Sequence, residues 1–181
     1  SLNNYKVGVF GFDTTVVGAE TLTDGTFTAE PGAGKWAVAG GWDAAFTGNK
    51  ANYSAVAGTL KQTLANLALP VAKGAWYVLT YTVSVPVGTV TAEIIVPLGI
   101  PAYPIYLPLT AGAHTIYFKI APATIDFIIS ATGTGSFTLD GLSFKKVTGG
   151  YFTSDGRITS GQGFALGGTG DNFLAILDHD V

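Results

Sequence analysis

The side chains that could support catalysis are few and far apart in this sequence. The two histidines are His114, at the start of an apolar run, and His179, near the end of the chain. No Gly-x-Ser-x-Gly, phosphate-loop or His-Glu-x-x-His motif occurs, and the glycines of residues 161–167 have the wrong spacing for a dinucleotide loop. The lack of cysteine excludes a thiolate nucleophile, a disulfide and a Cys-bearing zinc site. We therefore expect a protein that is not an enzyme.

Aromatic side chains offer a second kind of chemistry, because they stack on the faces of sugar rings while polar neighbours bind the hydroxyls. The candidates for such a glycan site are Trp36, Trp42, Tyr53, Trp76, Tyr103 and Tyr106. For each of them, packing in the core or in an interface is the alternative, since aromatic residues usually bury much of their area. Trp76 is the better exposed candidate, because it is out of phase with Tyr77 and Tyr81 on a predicted strand.

The composition is poor in charge. Charged residues make up 12% of the 181 residues, about half the share of roughly 25% in an ordinary soluble domain. This indicates surface buried against partners, although a rigid β-protein rich in Thr, Ser and Gly is the alternative. The net charge of −3 gives no reason to expect nucleic-acid binding. No transmembrane helix or signal peptide is predicted, so we expect no membrane insertion, and synthesis in a cytoplasm. A mature N-terminus left by cleavage is the alternative.

The elements that would position these residues are predicted most clearly between residues 124 and 147. Alternating apolar residues at 125–129 indicate a half-buried strand, and a Gly-containing turn at 131–135 leads to a second strand that would complete a hairpin. In that second strand the apolar parity changes after Asp140-Gly141. Because a one-residue slip would turn Phe144 outward, we infer a β-bulge that returns it to the core.

Further strands are predicted before this pair. The strand over residues 76–85 has one face made of Tyr77, Leu79, Tyr81, Val83 and Val85. Residues 114–120 form another strand, and the prolines of 97–108 mark an edge or a fixed loop because proline donates no ladder hydrogen bond. Residues 60–69 fit a helix or a strand, and we expect a strand followed by a loop.

The two ends of the chain differ in composition from the middle. Residues 1–19 are predicted to form an arm or an extra edge strand. Residues 148–181 are rich in glycine and end in an apolar run, which is unfavourable unless it docks on something. We interpret 148–181 as an assembly arm that packs on a neighbouring subunit, with a return onto its own domain as the alternative. The apolar residues of this arm are Tyr151, Phe152, Phe164, Phe173, Leu174, Ile176 and Leu177.

Short strands at regular spacing predict an all-β fold, an antiparallel β-sandwich with extensions at both termini. The order of several segments resembles the jelly roll of carbohydrate-binding modules, the galactose-binding-like sandwich. These segments are Asp24-Gly25-Thr26-Phe27, Trp36, Gly41-Trp42, Asn49-Lys50-Ala51, Leu60-Lys61-Gln62, Tyr77-Val78-Leu79-Thr80-Tyr81 and Gly135-Ser136-Phe137-Thr138-Leu139-Asp140-Gly141-Leu142-Ser143. The resemblance covers residues 20–147 and leaves 1–19 and 148–181 outside it.

The resemblance implies a fold that serves more than one function. Similar domains include sugar-binding modules of secreted glycosidases and structural proteins of tailed phages. We expect the second kind, a virion decoration or cement protein whose arms bind the major capsid protein, other virion proteins or further copies of itself. A module that recognises a host-surface glycan or a polysaccharide is the alternative, with Trp36, Trp42, Trp76, Tyr103 and Tyr106 as its binding residues.

The resemblance also implies a structural calcium ion. The positions that match its carboxylates are Asp24 and Asp140, which lie near the first and last strands of the sandwich. Calcium takes six to eight oxygen ligands, so two carboxylates would need several backbone oxygens beside them. The alternative is that Asp24 shapes a turn and Asp140 shapes the bulge.

Overall fold

A computed structural model describes residues 9–12, 17–33, 35–95, 105–120, 126–148, 151–154 and 176–177. By their contacts the residues form two units, one of Ala19–Lys146 and one of Ser1–Gly18 with Val147–Val181. In chain order the strands are β1 (Val9–Phe12), β2 (Val17–Glu20), β3 (Trp36–Ala39), β4 (Ala51–Ser54), β5 (Gly58–Gln62), β6 (Trp76–Val87), β7 (Val90–Ile94), β8 (Ile105–Tyr106), β9 (Gly112–Lys119), β10 (Phe127–Gly133), β11 (Ser136–Val147), β12 (Tyr151–Ser154) and β13 (Ile176–Leu177). Within the described ranges, no helix has the length and apolar character needed to cross a bilayer.

The larger unit is built from two antiparallel sheets. Sheet I has the strand order β3-β5-β10-β7-β8, and sheet II has the order β2-β11-β6-β9 with β4 also paired to β11. Alternate residues of both sheets point inward and form one apolar core, as a period of two requires. The predicted all-β antiparallel sandwich is confirmed.

The centre of this core is aromatic, and the ring of Phe144 contacts aromatic rings of both sheets. Phe144 of sheet II lies 4.6 Å from Tyr77 of its own sheet and 5.1 Å from Phe127 of sheet I, measured between ring centroids. Phe127 in turn packs edge-on against Trp36 at 6.2 Å. Such ring pairs contribute about 0.5–1.5 kcal/mol beyond the area they bury, so this cluster fixes how the sheets face each other.

The predicted β-bulge at Asp140-Gly141 is confirmed. The register of β11 against β6 shifts between Asp140 and Ser143, and Gly141 adopts a φ of +59°. Both Leu142 and Phe144 are buried after the bulge, as the change of parity predicted. A left-handed backbone conformation costs a residue with a Cβ about 1–2 kcal/mol, which explains glycine at this position.

The segment 20–25 joins the bulge to both sheets. The Glu20 carboxylate accepts hydrogen bonds from the Phe144 N–H at 2.7 Å and from the Ser143 hydroxyl at 2.6 Å. On the other side, the buried Gln62 amide of β5 pairs with the backbone of Thr23, accepting from its N–H at 3.1 Å and donating to its carbonyl. A buried polar side chain must have its partners, and here those partners lock the segment between the sheets.

The predicted hairpin over residues 124–147 is wrong. β10 pairs with β5 and β7 in sheet I, whereas β11 pairs with β4 and β6 in sheet II. The connection at residues 134–135 therefore crosses between the sheets. The apolar faces of β10 and β11 pack against each other across the core, and a short glycine turn suits this arch as well as it suits a hairpin.

Two other predictions about strands have different outcomes. Residues 60–69 do form the end of a strand followed by a loop with a 3-10 turn at Leu64–Asn66. Val85, however, does not share the inward face of Val83, because it is 71% exposed. The register of β6 against β11 shifts here, and Val85 has a φ of +50°, so it is the extra residue of a second bulge.

The smaller unit contains a three-stranded antiparallel sheet of order β12-β1-β13. Its central strand β1 pairs residue by residue with Tyr151–Ser154 on one side and with Ile176–Leu177 on the other. The two ends of the chain thus pair with each other. Of the predicted arm residues, Tyr151, Phe152, Ile176 and Leu177 lie in these strands, while Phe164, Phe173 and Leu174 lie outside the described residues.

The bulge generates a test of backbone conformation, because a Cβ at Gly141 would meet no atom within 4 Å. Any loss of stability there must come from the positive φ alone. Gly141→Ala should lower the free energy of unfolding by about 1–2 kcal/mol, and Gly141→Asn clearly less, since Asn tolerates this conformation. Urea unfolding of the two variants measures the difference; equal losses would contradict the assigned strain.

Candidate functional site

Three of the aromatic candidates lie in the core. Trp36 is 1% exposed, Trp42 is 4% exposed and Tyr53 is also buried. Trp36 donates its indole N–H to the carbonyl of Asp24 at 2.9 Å, and Trp42 packs edge-on against Tyr53. None of the three offers a ring face to a ligand, so their prediction as glycan-binding residues is wrong; their role is packing.

Two candidates remain at the surface, on opposite sides of the sandwich. Trp76 begins β6 on the outer face of sheet II, where it is half-buried and lies opposite Lys119. Tyr106 lies on the outer face of sheet I and is 59% exposed. Because the core separates the two rings, they cannot contribute to a single binding site. Tyr103 lies outside the described residues.

The positions predicted for calcium do not fit a calcium site. Both carboxylate oxygens of Asp24 already accept hydrogen bonds, from the N–H and hydroxyl of Thr28 at 2.8 and 2.7 Å and from the N–H of Ala29 at 3.0 Å. Asp140 lies 3.9 Å from the ammonium of Lys50. The described ranges contain no group of three or more His, Cys, Asp or Glu side chains placed to hold a metal ion. The turn and bulge roles describe these residues better.

A straight row of side chains crosses all five strands of sheet I on its outer face. The pairing registers place Ala39 opposite Thr59, Thr59 opposite Ser130, Ser130 opposite Glu93, and Glu93 opposite Tyr106. We call these five residues the cross-strand row. Directly opposite residues lie on the same face with their Cβ atoms about 4.5–5.5 Å apart. All five are exposed or half-buried, so the row is open to a ligand.

The rows on either side extend this face. On one side Thr132 lies opposite Thr91, and on the other Lys61 lies opposite Ile128. The half-buried Ile128 adds apolar surface beside the row, and the threonines add hydroxyl groups. The face therefore combines an aromatic ring, several hydroxyls, a carboxylate and a small apolar area.

An ion pair forms one border of this face. The Lys61 ammonium lies 2.9 Å from a carboxylate oxygen of Asp126, whose other oxygen accepts a hydrogen bond from the Leu64 N–H at 2.8 Å. These contacts lower the pKa of Asp126, first through the hydrogen bond from Lys61 and then through the one from Leu64. Asp126 is thus held as an anion whose charge is balanced by Lys61.

The outer face of sheet II is less open near Trp76. Val78, two residues further along the same face, is buried, with Lys145 and Tyr117 directly opposite it on the neighbouring strands. Val78 is therefore screened from solvent at this end of sheet II. The exposed aromatic residue of sheet I is Tyr106.

His114 has a structural environment. Its ring stacks on Tyr81 with centroids 5.2 Å apart, and its Nε2 lies 2.6 Å from the carbonyl oxygen of Thr110. Burial raises the pKa of Tyr81, whose hydroxyl donates to the carbonyl of Pro108 at 3.0 Å. These contacts hold the loop between β8 and β9 against the core. His179 lies outside the described residues.

Sequence reasoning identified Tyr106 but missed the other residues of the cross-strand row. The alternation in β7, where Ala92 and Ile94 are buried, was a sufficient signal that Glu93 points outward. The alternation within one strand does not determine the register between strands. The row depends on that register, which decides which residue of each strand lies opposite which residue of the next. The five strands of the row are spread over residues 36–133, so their register is not encoded locally.

The chain matches no protein-family model and no curated protein. Among solved structures it is similar to the enzymatically active domain of tailspike protein 4 of bacteriophage CBA120, with a TM-score of 0.48, 11% identity, and coverage of 71% of this chain and 21% of that chain. A CBM4 carbohydrate-binding module aligns with a TM-score of 0.43 and 13% identity over 70% of this chain and 99% of that chain.

A third similar structure is the CBM22-1 xylan-binding domain of Xyn10C from Paenibacillus barcinonensis, with a TM-score of 0.40 and 13% identity over 69% of this chain and 93% of that chain. The three similar structures are thus a phage tailspike domain and two carbohydrate-binding modules. The chain spans about one fifth of the tailspike chain that it matches.

The ion pair beside the face predicts how stability depends on pH. Because the pKa of Asp126 is lower in the folded chain, its contribution is present above the unfolded pKa of about 3.9 and is lost as the pH falls through the folded pKa. In Asp126→Asn, which keeps an acceptor for Leu64, the decline in unfolding free energy below about pH 4 should be smaller by up to ~1 kcal/mol. Urea unfolding at several pH values measures it, and identical acid limbs in both proteins would contradict the pair.

Proposed function

We propose that this chain is a non-catalytic glycan-binding module whose ligand lies on the outer face of sheet I, along the cross-strand row. The observation that carries the proposal is the in-register line of Thr59, Ser130, Glu93 and Tyr106 across adjacent strands. It places hydroxyls, a carboxylate and an exposed ring on one open surface.

The spacing of the row supports an extended saccharide as the ligand. Neighbouring strands lie about 4.8 Å apart, so the row repeats its side chains at about 4.8 Å and spans roughly 19 Å over five strands. This repeat is close to the length of one sugar unit in an extended chain. A short run of sugars could therefore meet one strand per unit, with Tyr106 stacking on the last ring and the hydroxyl groups bonding to the others.

The carboxylates on this face support binding rather than hydrolysis. A glycosidase needs one carboxyl group with a raised pKa to act as the acid, and contacts with Lys61 and Leu64 lower the pKa of Asp126. Glu93 lies opposite Ser130, four residues from Asp126 along β10. Their backbones thus lie about 13 Å apart along the strand direction, on neighbouring strands.

Tyr106→Ala tests which face binds. The loss of the only ring in the cross-strand row should weaken polysaccharide binding at least about tenfold, because exposed aromatic residues commonly dominate such contacts. Affinity electrophoresis against a panel of polysaccharides measures the shift. Thr115→Ala, on the exposed outer face of sheet II, is the matched control and should bind like the unmodified chain.

Trp76→Ala tests the alternative location of the ligand, on the outer face of sheet II. If it abolishes binding while Tyr106→Ala does not, the ligand lies on sheet II and the assignment to sheet I is wrong. If no polysaccharide or host-surface glycan retards the unmodified chain, the glycan-binding function itself is wrong.

A second candidate function is a structural role in a virion, in which the terminal unit anchors the sandwich to the major capsid protein, to other virion proteins or to further copies of the chain. Two observations favour it: only 12% of residues are charged, and the two chain ends pair in a sheet of their own. Binding to the assembled particle but not to its free subunits would stabilise the particle by mass action. The two functions are compatible, since an anchored module can also bind a glycan.

Removal of residues 148–181 tests the anchor. Without β12 and β13, both edges of β1 lose their hydrogen-bonded partners, so the terminal sheet cannot form. Co-sedimentation with particles from the source material should be lost in this variant and kept in full-length Tyr106→Ala. Equal sedimentation of the shortened and full-length chains would exclude the terminal unit as the anchor.

A further inference from the structure

The carboxylate of Glu93 has no counter-charge in the described part of the chain. It stands half-buried in the middle of the open face, between Ser130 and Tyr106. The ion pairs among the described residues are Lys61–Asp126 and Lys50–Asp140, and neither involves Glu93. Lys61 lies on the same face, and its ammonium forms an ion pair with Asp126 at 2.9 Å.

This arrangement makes the potential over the cross-strand row negative. Lys61 and Asp126 cancel each other, which leaves the charge of Glu93, and the net charge of −3 acts in the same direction. A half-buried carboxylate also needs hydrogen-bond donors, because it has lost part of its hydration. An anionic group placed above it would find repulsion instead of donors, and such like-charge contacts exclude a partner strongly.

We infer that Glu93 sets the charge specificity of this face: it selects a sugar with two neighbouring free hydroxyl groups and no anionic substituent. The inference rests on the proposed glycan-binding function. An ionised carboxylate is an acceptor only, with two oxygens, so two vicinal hydroxyls of one ring can each donate one charge-assisted hydrogen bond. The ring of Tyr106 on one side and the Ser130 hydroxyl on the other would hold that sugar in place.

The charge of Glu93 also determines which glycans the face excludes. A uronate, a sulfate ester or a sialic acid at this sugar would bring a second negative charge to Glu93, which makes no ion pair in the described part of the chain. Neutral glycans are accepted and acidic glycans of the same backbone are rejected. Glu93 thus acts as a specificity-determining residue, distinct from the ring that supplies contact area.

Pairs of polysaccharides that differ only at C6 test this inference. The probes are a glucan, a mannan and a galactan, each paired with its own C6-oxidised form, with binding measured by affinity electrophoresis and titration calorimetry at low salt. The full chain should bind at least one neutral member at least about tenfold more tightly than its acidic counterpart. In Glu93→Gln, which keeps the shape and removes the charge, that ratio should fall to near one.

Asp140→Asn is the matched control, because it removes one negative charge from the outer face of sheet II. It should keep the ratio of the unmodified chain, whereas a general effect of net charge would lower the ratio in both variants and overturn the inference. Equal binding of neutral and acidic members by the unmodified chain would also overturn it, while leaving glycan binding intact. If no neutral or acidic member binds, this inference fails, and the wider panel of polysaccharides and host-surface glycans decides the proposed function.

Discussion

The inward position of the Phe144 ring is the contact on which the rest of the sandwich depends. The bulge at Asp140-Gly141 shifts β11 by one residue against β6, and this shift turns Phe144 into the core. There it stacks on Tyr77 and meets Phe127 of the opposite sheet. Since Phe127 faces inward, the alternation along β10 turns Ser130 outward, onto the open face. A bulge in one sheet thus helps to fix which side chains the other sheet presents.

The bulge has a cost that the segment 20–25 offsets. Where β11 departs from its register with β6, backbone groups need partners elsewhere, since an unpaired buried N–H costs about as much as a lost hydrogen bond. The Glu20 carboxylate accepts the N–H of Phe144, and the carbonyl of Gly25 accepts the N–H of Leu142 at 2.8 Å. The same segment is held to sheet I through Gln62. Segment 20–25 therefore connects the two sheets through hydrogen bonds.

The division of the aromatic residues between core and surface shapes the proposed function. The rings of Trp36, Trp42 and Tyr53 stabilise the sandwich, which leaves Tyr106 as the aromatic residue of the cross-strand row. A ligand on this face would have one stacking contact, and the remaining affinity and the selectivity would come from hydroxyls and from Glu93. Such a site favours discrimination by hydrogen bonding and charge over tight binding. The weak overall charge of the chain makes one uncompensated carboxylate more influential.

The sequence alone was sufficient for several features that depend on neighbours along the chain: the period of two in most strands, the change of parity that requires the bulge at Asp140-Gly141, and the scarcity of catalytic groups. It missed the second bulge, at Val85. It could not distinguish a hairpin from an arch at residues 134–135, because the turn chemistry is the same and only the core decides which strands pair. It identified Trp76 as the better exposed tryptophan from its phase on β6, but it could not show that Trp36 and Trp42 are buried, since both faces of a strand can be apolar. The cross-strand row exists only in the tertiary structure, because its register is fixed between strands that are distant in sequence.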